Sequence, residues 1–348
     1  MILDPILDIF RGKAVTIPPL DGAFRPNTRL DDAPVFADLS EADNLLVEGD
    51  RLLASSGNAV FALGAKGEPL AVETFPSTVS ALACSPAGEL TVGLEMGKLL
   101  IGGREVALPG EIRCITALAY AEDGSLWLAN GSAHHAPSQW AADLMKKGAS
   151  GSLWKRDPAS GEFRKVAGDI AFPYGLHPIG ADVLVSESWR HQLLRFSTTG
   201  SRSTVLTHLP GYPSRLSPAA DGGAWLTLFA PRNRLIEFVL QETHYREDMI
   251  DQVPPAYWIA PAHASNRSFL EPLQCGGIRT MGIHKPWSPS RSYGLVAKLG
   301  KDMRPLFSLH SRANGTRHGI CSVVEKDGRL FVASKGGDCV LALDAGGF

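Results

Sequence analysis

Short runs of alternating apolar and polar residues recur along the chain, with glycine-containing turns between them. The first run is NLLVEGDRLLASSGNAVFAL from Asn44, and the second is SALACSPAGELTVGLEMGKLLIG from Ser80. A period of two puts every second side chain on one face of a β-strand, so each run predicts a set of half-buried strands. The Asp-Gly or Ala-Gly pair between the first two strands supplies the positive φ that a tight hairpin needs.

This unit occurs six times, and the other four copies begin at Thr116, Tyr174, Arg215 and Ile320. The fifth copy is RLSPAADGGAWLTLFAPRNRLIEFV, with RLIEFV as its third strand. Units of about forty residues that cannot bury both of their faces alone indicate sheets stacked radially around an axis. A β-sandwich with repeated turns is the alternative, but sandwiches do not need near-equivalent units. We therefore predict an all-β fold, a six-bladed β-propeller, as a single domain over residues 1–348.

Two intervals interrupt the repeat. Residues about 132–150 contain AHHAPSQWAADLMKKGA, whose Trp140 and Leu144 predict a short amphipathic helix in the third blade. Residues about 240–293 form a longer interval that begins with helix-like composition, and loops of this length are usually functional or disordered. Its large aromatic side chains argue against disorder, so we expect an ordered insert between the fifth and sixth blades that covers one face. These aromatic residues are Tyr257, Trp258, Phe269 and Trp287.

The chain ends have separate expectations. Residues about 1–40 are predicted to lie along the outside of the propeller, with the two chain ends closing the ring together. The first residues, MILDPILDIFRGKAV, have an apolar stretch broken by Asp4, Pro5 and Asp8, with no basic residue before it. They match neither a secretion signal nor a membrane span.

Charge and cysteine content narrow the partners. The net charge of -2, from 34 Lys and Arg against 36 Asp and Glu, provides no basic field for a phosphate backbone. Nucleic-acid and membrane partners are not expected, a small-molecule substrate is, and the oligomeric state stays open. The five cysteines lack zinc-site spacing, which favours a reduced, cytoplasmic setting. They are Cys84, Cys114, Cys275, Cys321 and Cys339.

Candidate site residues follow from the repeat. The first strand of each blade lines the central channel of a propeller, so its first residues face one mouth of that channel. Polar residues that are far apart in sequence therefore converge there, and such a position is the default place for a pocket. Aligning the copies on their hairpin glycines gives Asp43, Asn44, Ser80, Thr116, Tyr174, Ser214, Arg215 and Cys321, with His318 close upstream.

Three longer runs carry a resemblance. They are FPYGLHPIGADVLVSESWRHQLLRF, HLPGYPSRLSPAADGGAWLTLF, and YGLVAKLG followed by SLHSRANGTRHGICSVVEKDGRLFVAS. The chain from about residue 40 onward resembles the strictosidine synthase-like family. That family is part of the six-bladed propeller superfamily of gluconolactonases, paraoxonase-type arylesterases and diisopropyl-fluorophosphatase-type hydrolases. The resemblance implies the same fold.

The resemblance also implies a calcium ion at the channel centre, held by a Glu of the first blade and Asn or Asp side chains of later blades. Asp43 occupies the first-blade position and is a candidate metal ligand. Thr116 and Tyr174 stand where asparagines are usual, however, and Ser214 with Arg215 replaces Asp-Asn. A guanidinium repels a cation, so we expect no cofactor, although calcium is what the resemblance implies.

The resemblance places a catalytic glutamate of the strictosidine-forming members where this chain has Cys321. Strictosidine synthase activity is therefore not expected. Cys321 and His318, three residues apart, are candidates for a nucleophile and its base, or else a packed thiol and a turn-capping imidazole.

Further candidates have two interpretations each. Arg215 either clamps a substrate carboxylate or phosphate, or forms an ion pair with Asp43 or Glu187. Glu187 is either a general base or only a partner of Arg215. Tyr174 is either a donor to an oxyanion or a ring that fills the space of the lost metal.

The remaining predicted substrate contacts are Ser214, Thr116, Asn130, His134 and His135. The two histidines precede the helix of the third blade and are placed to reach over the pocket. Adjacent histidines on extended chain point in opposite directions, so a shared metal ion is not expected there.

Three functions remain open at this stage. The first is a hydrolase of the lactonase or esterase type for a small polar or anionic substrate, with Arg215 binding the negative group and His318 or Glu187 activating water. The second is a lyase, isomerase or condensing enzyme that relies on side-chain acid–base chemistry. The third is a non-catalytic binding propeller.

Overall fold

The structure of this protein is a computed structural model. It contains six four-stranded antiparallel sheets, which form a six-bladed β-propeller. The predicted fold class is thus confirmed. Three residues used in the sequence predictions, Phe269, Cys275 and Trp287, lie outside the described residues. The structure describes residues 16–265, 267–268, 270–272, 279–280, 283–284 and 290–347.

The first three blades follow one another along the chain, each as a meander whose first strand is innermost. Strand β1 (Val35–Asp38) precedes them. The first blade contains β2 (Leu45–Glu48), β3 (Arg51–Ser56), β4 (Ala59–Leu63) and β5 (Pro69–Thr74), and the second contains β6 (Val79–Cys84), β7 (Leu90–Leu94), β8 (Lys98–Ile101) and β9 (Arg104–Val106). The third contains β10 (Ile115–Tyr120), β11 (Leu126–Asn130), β12 (Gly151–Arg156) and β13 (Phe163–Ile170).

The fourth blade contains β14 (Pro173–Ile179), β15 (Asp182–Glu187), β16 (Gln192–Phe196) and β17 (Arg202–Leu206). The fifth contains β18 (Gly211–Pro218), β19 (Ala224–Pro231), β22 (Gly294–Leu299) and β23 (Pro305–Ser311), and the sixth contains β24 (Ile320–Lys326), β25 (Arg329–Ser334) and β26 (Cys339–Asp344). A separate two-stranded sheet pairs β20 (Arg279–Thr280) with β21 (Ile283–His284).

The ring closes through both ends of the described chain. Strand β1 pairs with β26, with Ala37 opposite Val340 and Asp38 opposite Cys339, so the sixth blade is completed by an N-terminal strand. Residues 16–34 pass along the outside of the fifth blade, where the amide of Asn27 donates to the carbonyl of Ser308 at 2.8 Å.

Two inserts leave the propeller at the same face. Helix α1 (Trp140–Met145) lies between β11 and β12, and helices α2 (Arg234–Gln241) and α3 (Thr243–Gln252) lie between β19 and β22. Both inserts begin where a second strand ends, which in an antiparallel blade is the edge where the first strand begins. We call this edge of the propeller the upper face. Short 3₁₀ turns occur at Gly22–Phe24, Pro137–Gln139 and Pro255–Tyr257.

The long insert differs from the prediction in its position. It lies inside the fifth blade, between its second and third strands, and not between the fifth and sixth blades. The segment RLIEFV, read from sequence as a third strand, belongs to α2. The Asn233 side chain accepts from the backbone N–H of Leu235, which caps the helix, and Ile236 and Val239 are buried at helical spacing.

The core lies mainly between neighbouring blades. Between the third and fourth blades, for example, Trp127 packs with Leu176, Val185 and Phe196. Full burial of such side chains contributes about 1.5–3 kcal/mol each, which is what holds radial sheets together. None of the helices in the described ranges is long and apolar enough to cross a bilayer.

Candidate functional site

Three charged side chains meet where the first strands begin, at the upper end of the central channel. Nη1 of Arg215 lies 2.5 Å from Oδ1 of Asp43, and Nζ of Lys335 lies 2.7 Å from Oδ2 of the same carboxylate. Asp43 precedes β2, Arg215 lies in β18, and Lys335 follows β25. We call these three residues the charged centre. The structure shows the Arg215–Asp43 ion pair, which was one of the two predicted alternatives.

The charged centre carries a net positive charge in a largely buried place, with Asp43 buried and Arg215 and Lys335 half-buried. Burial raises the pKa of Asp43, but the charges of Arg215 and Lys335 outweigh it and hold this pKa well below its usual range. Burial lowers the pKa of Lys335, whereas the neighbouring carboxylate raises it further, so that the net shift is upward. Two cations and one carboxylate are therefore all ionised at neutral pH.

Arg215 is also held by the backbone of two other blades. Its Nη2 donates to the carbonyl of Ser80 at 2.8 Å, and its Nη1 approaches the carbonyl of Cys321 at 3.4 Å. One guanidinium thus connects the first, second, fifth and sixth blades at the axis. Its five donors in a rigid fork make such multiple contacts possible.

These residues do not fit the calcium ion that the family resemblance implies. A hard divalent cation takes six to eight oxygen ligands, several of them carboxylates. Asp43 is instead shared by two cationic side chains, and the Arg215 guanidinium lies at the centre. Among the residues that the structure describes, no cluster of three or more His, Cys, Asp or Glu side chains is arranged to hold a metal ion.

Aromatic rings cover the charged centre from the upper face. The Tyr174 ring lies over the Arg215 guanidinium, with 5.1 Å from its carbon to the ring centroid. The ring of Phe229 contacts those of Tyr174, Trp140 and His263 at centroid distances of 5.9, 5.2 and 5.4 Å. Trp140 comes from α1 and His263 from the long insert, so both inserts contribute to this aromatic cover.

Cys321 and His263 form the sulfur–imidazole contact of the site. Sγ of Cys321 lies 3.9 Å from Nδ1 of His263, and the thiol also contacts the Tyr174 hydroxyl. Burial raises the pKa of Cys321 to about 12 and lowers the pKa of His263 to about 3. At neutral pH the thiol is therefore protonated and the imidazole is neutral, a state in which the imidazole can accept a proton.

The segment that carries His263 lies against two glycines of the sixth blade. A Cβ on Gly336 would be 1.8 Å from the His263 carbonyl oxygen, and a Cβ on Gly319 would be 2.7 Å from the same atom. Gly319 also has φ of +63°. Only residues without a Cβ let the insert approach this closely, so these glycines determine where His263 lies.

His318 is not the partner of Cys321 that the sequence spacing suggested. Its Nδ1 lies 2.7 Å from the hydroxyl of Ser292, and its Nε2 lies 2.8 Å from the carbonyl of Arg312. The spacing of three residues is bridged by Gly319 in the left-handed region, which turns the His318 side chain away from the thiol. His263, from a distant part of the chain, takes that place.

Glu187 is also not brought to the charged centre. It is fully buried at the end of β15, where its carboxylate accepts from the backbone N–H of Ala171 at 2.7 Å and from Arg190 at 2.6 Å. Gln192 donates to its other oxygen. These contacts tie the strands of the fourth blade together, and the predicted alternative of an Arg215–Glu187 ion pair is not formed.

Three predicted substrate contacts bind backbone groups of neighbouring strands. Thr116 donates to the carbonyl of Pro173 at 2.5 Å, and Ser214 donates to the carbonyl of Ile320 at 3.2 Å. Asn130 accepts from the backbone N–H of Cys114 at 2.9 Å. All three side chains are buried, which makes them connectors between strands and blades in this structure.

The two adjacent histidines lie at the edge of the upper face. Nδ1 of His135 is 3.1 Å from Oδ2 of Asp143, a residue of α1, and His134 is exposed. Both line an outward pocket of about 530 Å³ beside the second blade rather than the charged centre. The prediction that they reach over the central pocket is therefore not what the structure has.

Below the charged centre the channel is open. It has a volume of about 490 Å³, and residues of all six innermost strands line it, Arg215 among them. Its walls are mostly apolar, with Glu122 and Glu325 farther along. The charged centre thus lies between this channel and the aromatic cover.

Sequence reasoning missed His263 and Lys335. Lys335 follows the second strand of the last copy, in the run VASK, and such positions end at the same mouth as the first strands. That signal was available from the repeat. His263 lies in the insert, outside any repeat, so its position depends on how the insert packs.

Comparison with known proteins supports the resemblance. No family model matches the chain. The protein strictosidine synthase-like 10 of Arabidopsis thaliana is 24% identical over 218 residues, which are 61% of this chain and 52% of that protein. The chain therefore spans about half the length of the curated relative that it matches.

Several solved structures share the fold. A gluconolactonase from Xanthomonas campestris has a TM-score of 0.58 at 15% identity, with 91% of each chain covered. A putative gluconolactonase has a TM-score of 0.55 at 14% identity, covering 90% of this chain and 91% of that one. Regucalcin, a calcium-binding protein from Agrobacterium tumefaciens, has a TM-score of 0.54 at 12% identity, covering 89% and 92%. The chain is thus similar to strictosidine synthase-like and gluconolactonase-type propellers.

Proposed function

We propose that this chain is a hydrolase of the lactonase or esterase type that acts without calcium on a small anionic substrate. The observation that carries the proposal is the buried net positive charge of Asp43, Arg215 and Lys335 at the centre of a gluconolactonase-like propeller. A fixed positive charge in a water-poor site stabilises negative charge that develops on a carbonyl oxygen. In this proposal the charged centre takes the place of a metal ion.

Lys335 is the more exposed of the two cations at the charged centre, and we propose that it contacts the substrate. Its side chain is 24% exposed, whereas Arg215 is 11% exposed and covered by the Tyr174 ring. In the proposed mechanism the ammonium group binds the carbonyl oxygen of the substrate, and Arg215 keeps Asp43 ionised beside it. The half-buried rings of Trp140 and Tyr174 would pack on the apolar part of the substrate.

His263 is the proposed general base. Its imidazole is neutral at neutral pH, because burial and then the Lys335 charge lower its pKa to about 3. It would take a proton from the attacking water as oxygen bonds to the carbonyl carbon, and it would give that proton to the leaving alkoxide as the ester or lactone C–O bond breaks. The sequence-based candidates for this role, His318 and Glu187, are held by other contacts.

The test is turnover of a panel of lactones and aryl esters by the purified full chain, with added calcium and with a chelator. We expect hydrolysis that the chelator does not change, and Lys335→Met should lower kcat/KM by about 10²-fold or more. Lys298→Met is the matched control, since Lys298 is a buried lysine bound to Asp221 in the fifth blade, away from the charged centre.

Turnover that requires calcium would contradict the proposal, as would equal activity in Lys335→Met. Binding of panel compounds without any turnover would favour a non-catalytic binding propeller instead.

A second function is favoured by one observation. Tyr174 and Cys321 contact each other beside the charged centre, and burial raises the pKa of both, so both carry protons at neutral pH. Such groups suit a lyase or isomerase that protonates a carbanion or leaving group. Mass spectrometry separates the functions, because hydrolysis adds the mass of water whereas an isomerase leaves the mass unchanged and a lyase releases a fragment.

A further inference from the structure

A chain of three hydrogen-bonding side chains lies apart from the charged centre. The hydroxyls of Ser265 and Ser292 are 2.5 Å apart, and the Ser292 hydroxyl is 2.7 Å from Nδ1 of His318. Ser265 belongs to the long insert, Ser292 precedes β22, and His318 precedes β24. The chain therefore connects the insert to two blades.

The hydrogen bond at Nε2 of His318 determines which groups donate and which accept along these three side chains. Nε2 of His318 lies 2.8 Å from the backbone carbonyl of Arg312. A carbonyl only accepts, so Nε2 carries the proton and, in the neutral imidazole, Nδ1 has the lone pair. Ser292 must then donate to Nδ1 and accept from Ser265. Each hydroxyl therefore donates toward His318, which is the arrangement that activates the Ser265 hydroxyl as a nucleophile.

Burial distinguishes the members of the chain. Ser292 is fully buried and His318 is 3% exposed, and the Tyr293 ring stacks on the imidazole with an interplanar angle of 17°. Ser265 is half-buried. The base is thus fixed inside the protein, and the outermost hydroxyl reaches the surface.

Ser265 opens into a pocket. The pocket has a volume of about 390 Å³ and is lined by Ser265, His318, Arg267, Asn314 and Thr316 among others. The Arg267 side chain is 57% exposed at this wall, where its Nη2 donates to the Asp338 carboxylate at 2.8 Å and to the carbonyl of Gly336 at 2.5 Å. A guanidinium and a side-chain amide suit an ester that carries negative charge, or an oxygen that becomes negative during attack.

We propose that Ser265 is a nucleophile activated by Ser292 and His318, and that this pocket accepts acyl or phosphonyl donors. Oγ of Ser265 forms a bond to the acyl carbon while its proton passes to Ser292 and the Ser292 proton passes to Nδ1 of His318. The bond to the leaving alkoxide then breaks, and the proton returns through Ser292 to give the free alcohol and a Ser265 ester. Water hydrolyses that ester in a second step.

This site does not depend on the function proposed for the charged centre. Lys335 and Asp43 take no part in it, so the failure of one proposal leaves the other intact.

The experiment is labelling of the folded full chain with an alkyl fluorophosphonate, which loses fluoride when an activated serine attacks phosphorus. We expect a single adduct, mapped to Ser265 by peptide mass spectrometry and absent in Ser265→Ala. Ser292→Ala and His318→Gln should each slow labelling by about 10²-fold or more, because each breaks the path to the base. Lys335→Met should label at the wild-type rate.

Controls separate activation from exposure and from misfolding. Ser268→Ala removes an exposed neighbouring serine and should leave labelling unchanged. Circular dichroism and thermal melts report whether each variant is folded, and Ser292→Ala keeps the buried imidazole in place. No adduct on the folded wild-type chain would overturn the proposal, as would equal labelling of Ser265 in folded Ser292→Ala.

Discussion

At the scale of single residues, the charged centre is constrained by two ion pairs to one carboxylate. Arg215 and Lys335 share one carboxylate, and both Arg215 and Asp43 are only 11% exposed. Removing one member of such a group leaves a buried charge without its partner, which costs more than the pair itself contributes. The interaction is therefore best measured with paired substitutions.

Asp43→Asn is expected to lower the free energy of unfolding by roughly 3–5 kcal/mol, because it leaves two cations without a counter-charge. The double variant Asp43→Leu with Arg215→Met should be less destabilised than Asp43→Asn, since only Lys335 then remains charged and it reaches water. Urea denaturation of the three proteins gives the comparison. A loss below about 1 kcal/mol in Asp43→Asn would contradict a tightly coupled buried pair.

The sequence predicted part of this centre. Asp43, Tyr174, Arg215 and Cys321 occupy equivalent positions in different repeat copies, so their convergence follows from the fold. The repeat did not decide which carboxylate pairs with Arg215, because Asp43 and Glu187 both lie at the upper face. The roles of His318 and Glu187 depend on where their side chains point, which the repeat does not determine. Gly319, between His318 and Cys321, has positive φ, so their spacing of three residues does not bring the two side chains together.

At the scale of elements, the long insert is fixed to the sixth blade by close backbone contact. The chain at His263 crosses Gly336 and Gly319, and it contributes a ring to the aromatic cover. The position of this segment therefore depends on two glycines of the sixth blade.

Gly336→Ala is expected to displace the segment at His263, because the new Cβ would lie 1.8 Å from a backbone oxygen that cannot move alone. The expected results are a stability loss of roughly 1–3 kcal/mol and a loss of any activity that uses His263. Gly110→Ala is the matched control, since no atom lies within 4 Å of its ideal Cβ. Thermal melts and hydrogen exchange of residues 258–265 measure the effect, and wild-type exchange in Gly336→Ala would contradict it.

Elements within the repeat were predicted well, and those outside it less well. The strands of the first four copies and of the last one lie where alternation and turns put them. RLIEFVL is apolar enough to be read as either a strand or a helix, and the cap by Asn233 was not considered. The third strand of this blade, β22, lies beyond the insert, in the run YGLVAKLG, which the six repeat copies do not include.

At the scale of the whole molecule, several buried histidines make stability depend on pH. Burial lowers the pKa of His177, His191, His263 and His310, and for His263 and His310 the value is about 3. These groups stay neutral in the folded chain at a pH where the unfolded chain binds protons. Their contribution to stability is complete above pH about 6.5 and is lost as the pH falls toward the folded values.

We expect the free energy of unfolding to fall steadily from about pH 6.5 to pH 3, by about 1.4 kcal/mol per pH unit for each histidine that remains neutral. Urea denaturation at a series of pH values measures this slope. His310→Gln, at a fully buried position, should make the slope shallower, whereas His208→Gln serves as a control at an exposed position. A stability that does not change between pH 6.5 and 5 would contradict this account.

The overall architecture was predictable because six copies of one unit leave few alternatives, and the chain ends were expected to close the ring. The function is less determined by the fold, since the residues at the channel mouth differ from those that the family resemblance implies. What the charged centre binds depends on a few side chains and on inserts that have no counterpart in the repeat.

Closure by β1 has a consequence for synthesis. Strand β1 pairs with β26, and about three hundred residues separate the two in the chain, so this contact cannot form until the ribosome has synthesised β26. Until then β1 has no strand partner, and each completed blade packs only against the blade that precedes it in the chain. Before β26 is made, the nascent chain is thus an incomplete ring whose two terminal edges carry unpaired backbone groups, and these edges are exposed to association with other chains until the β1–β26 pairing forms.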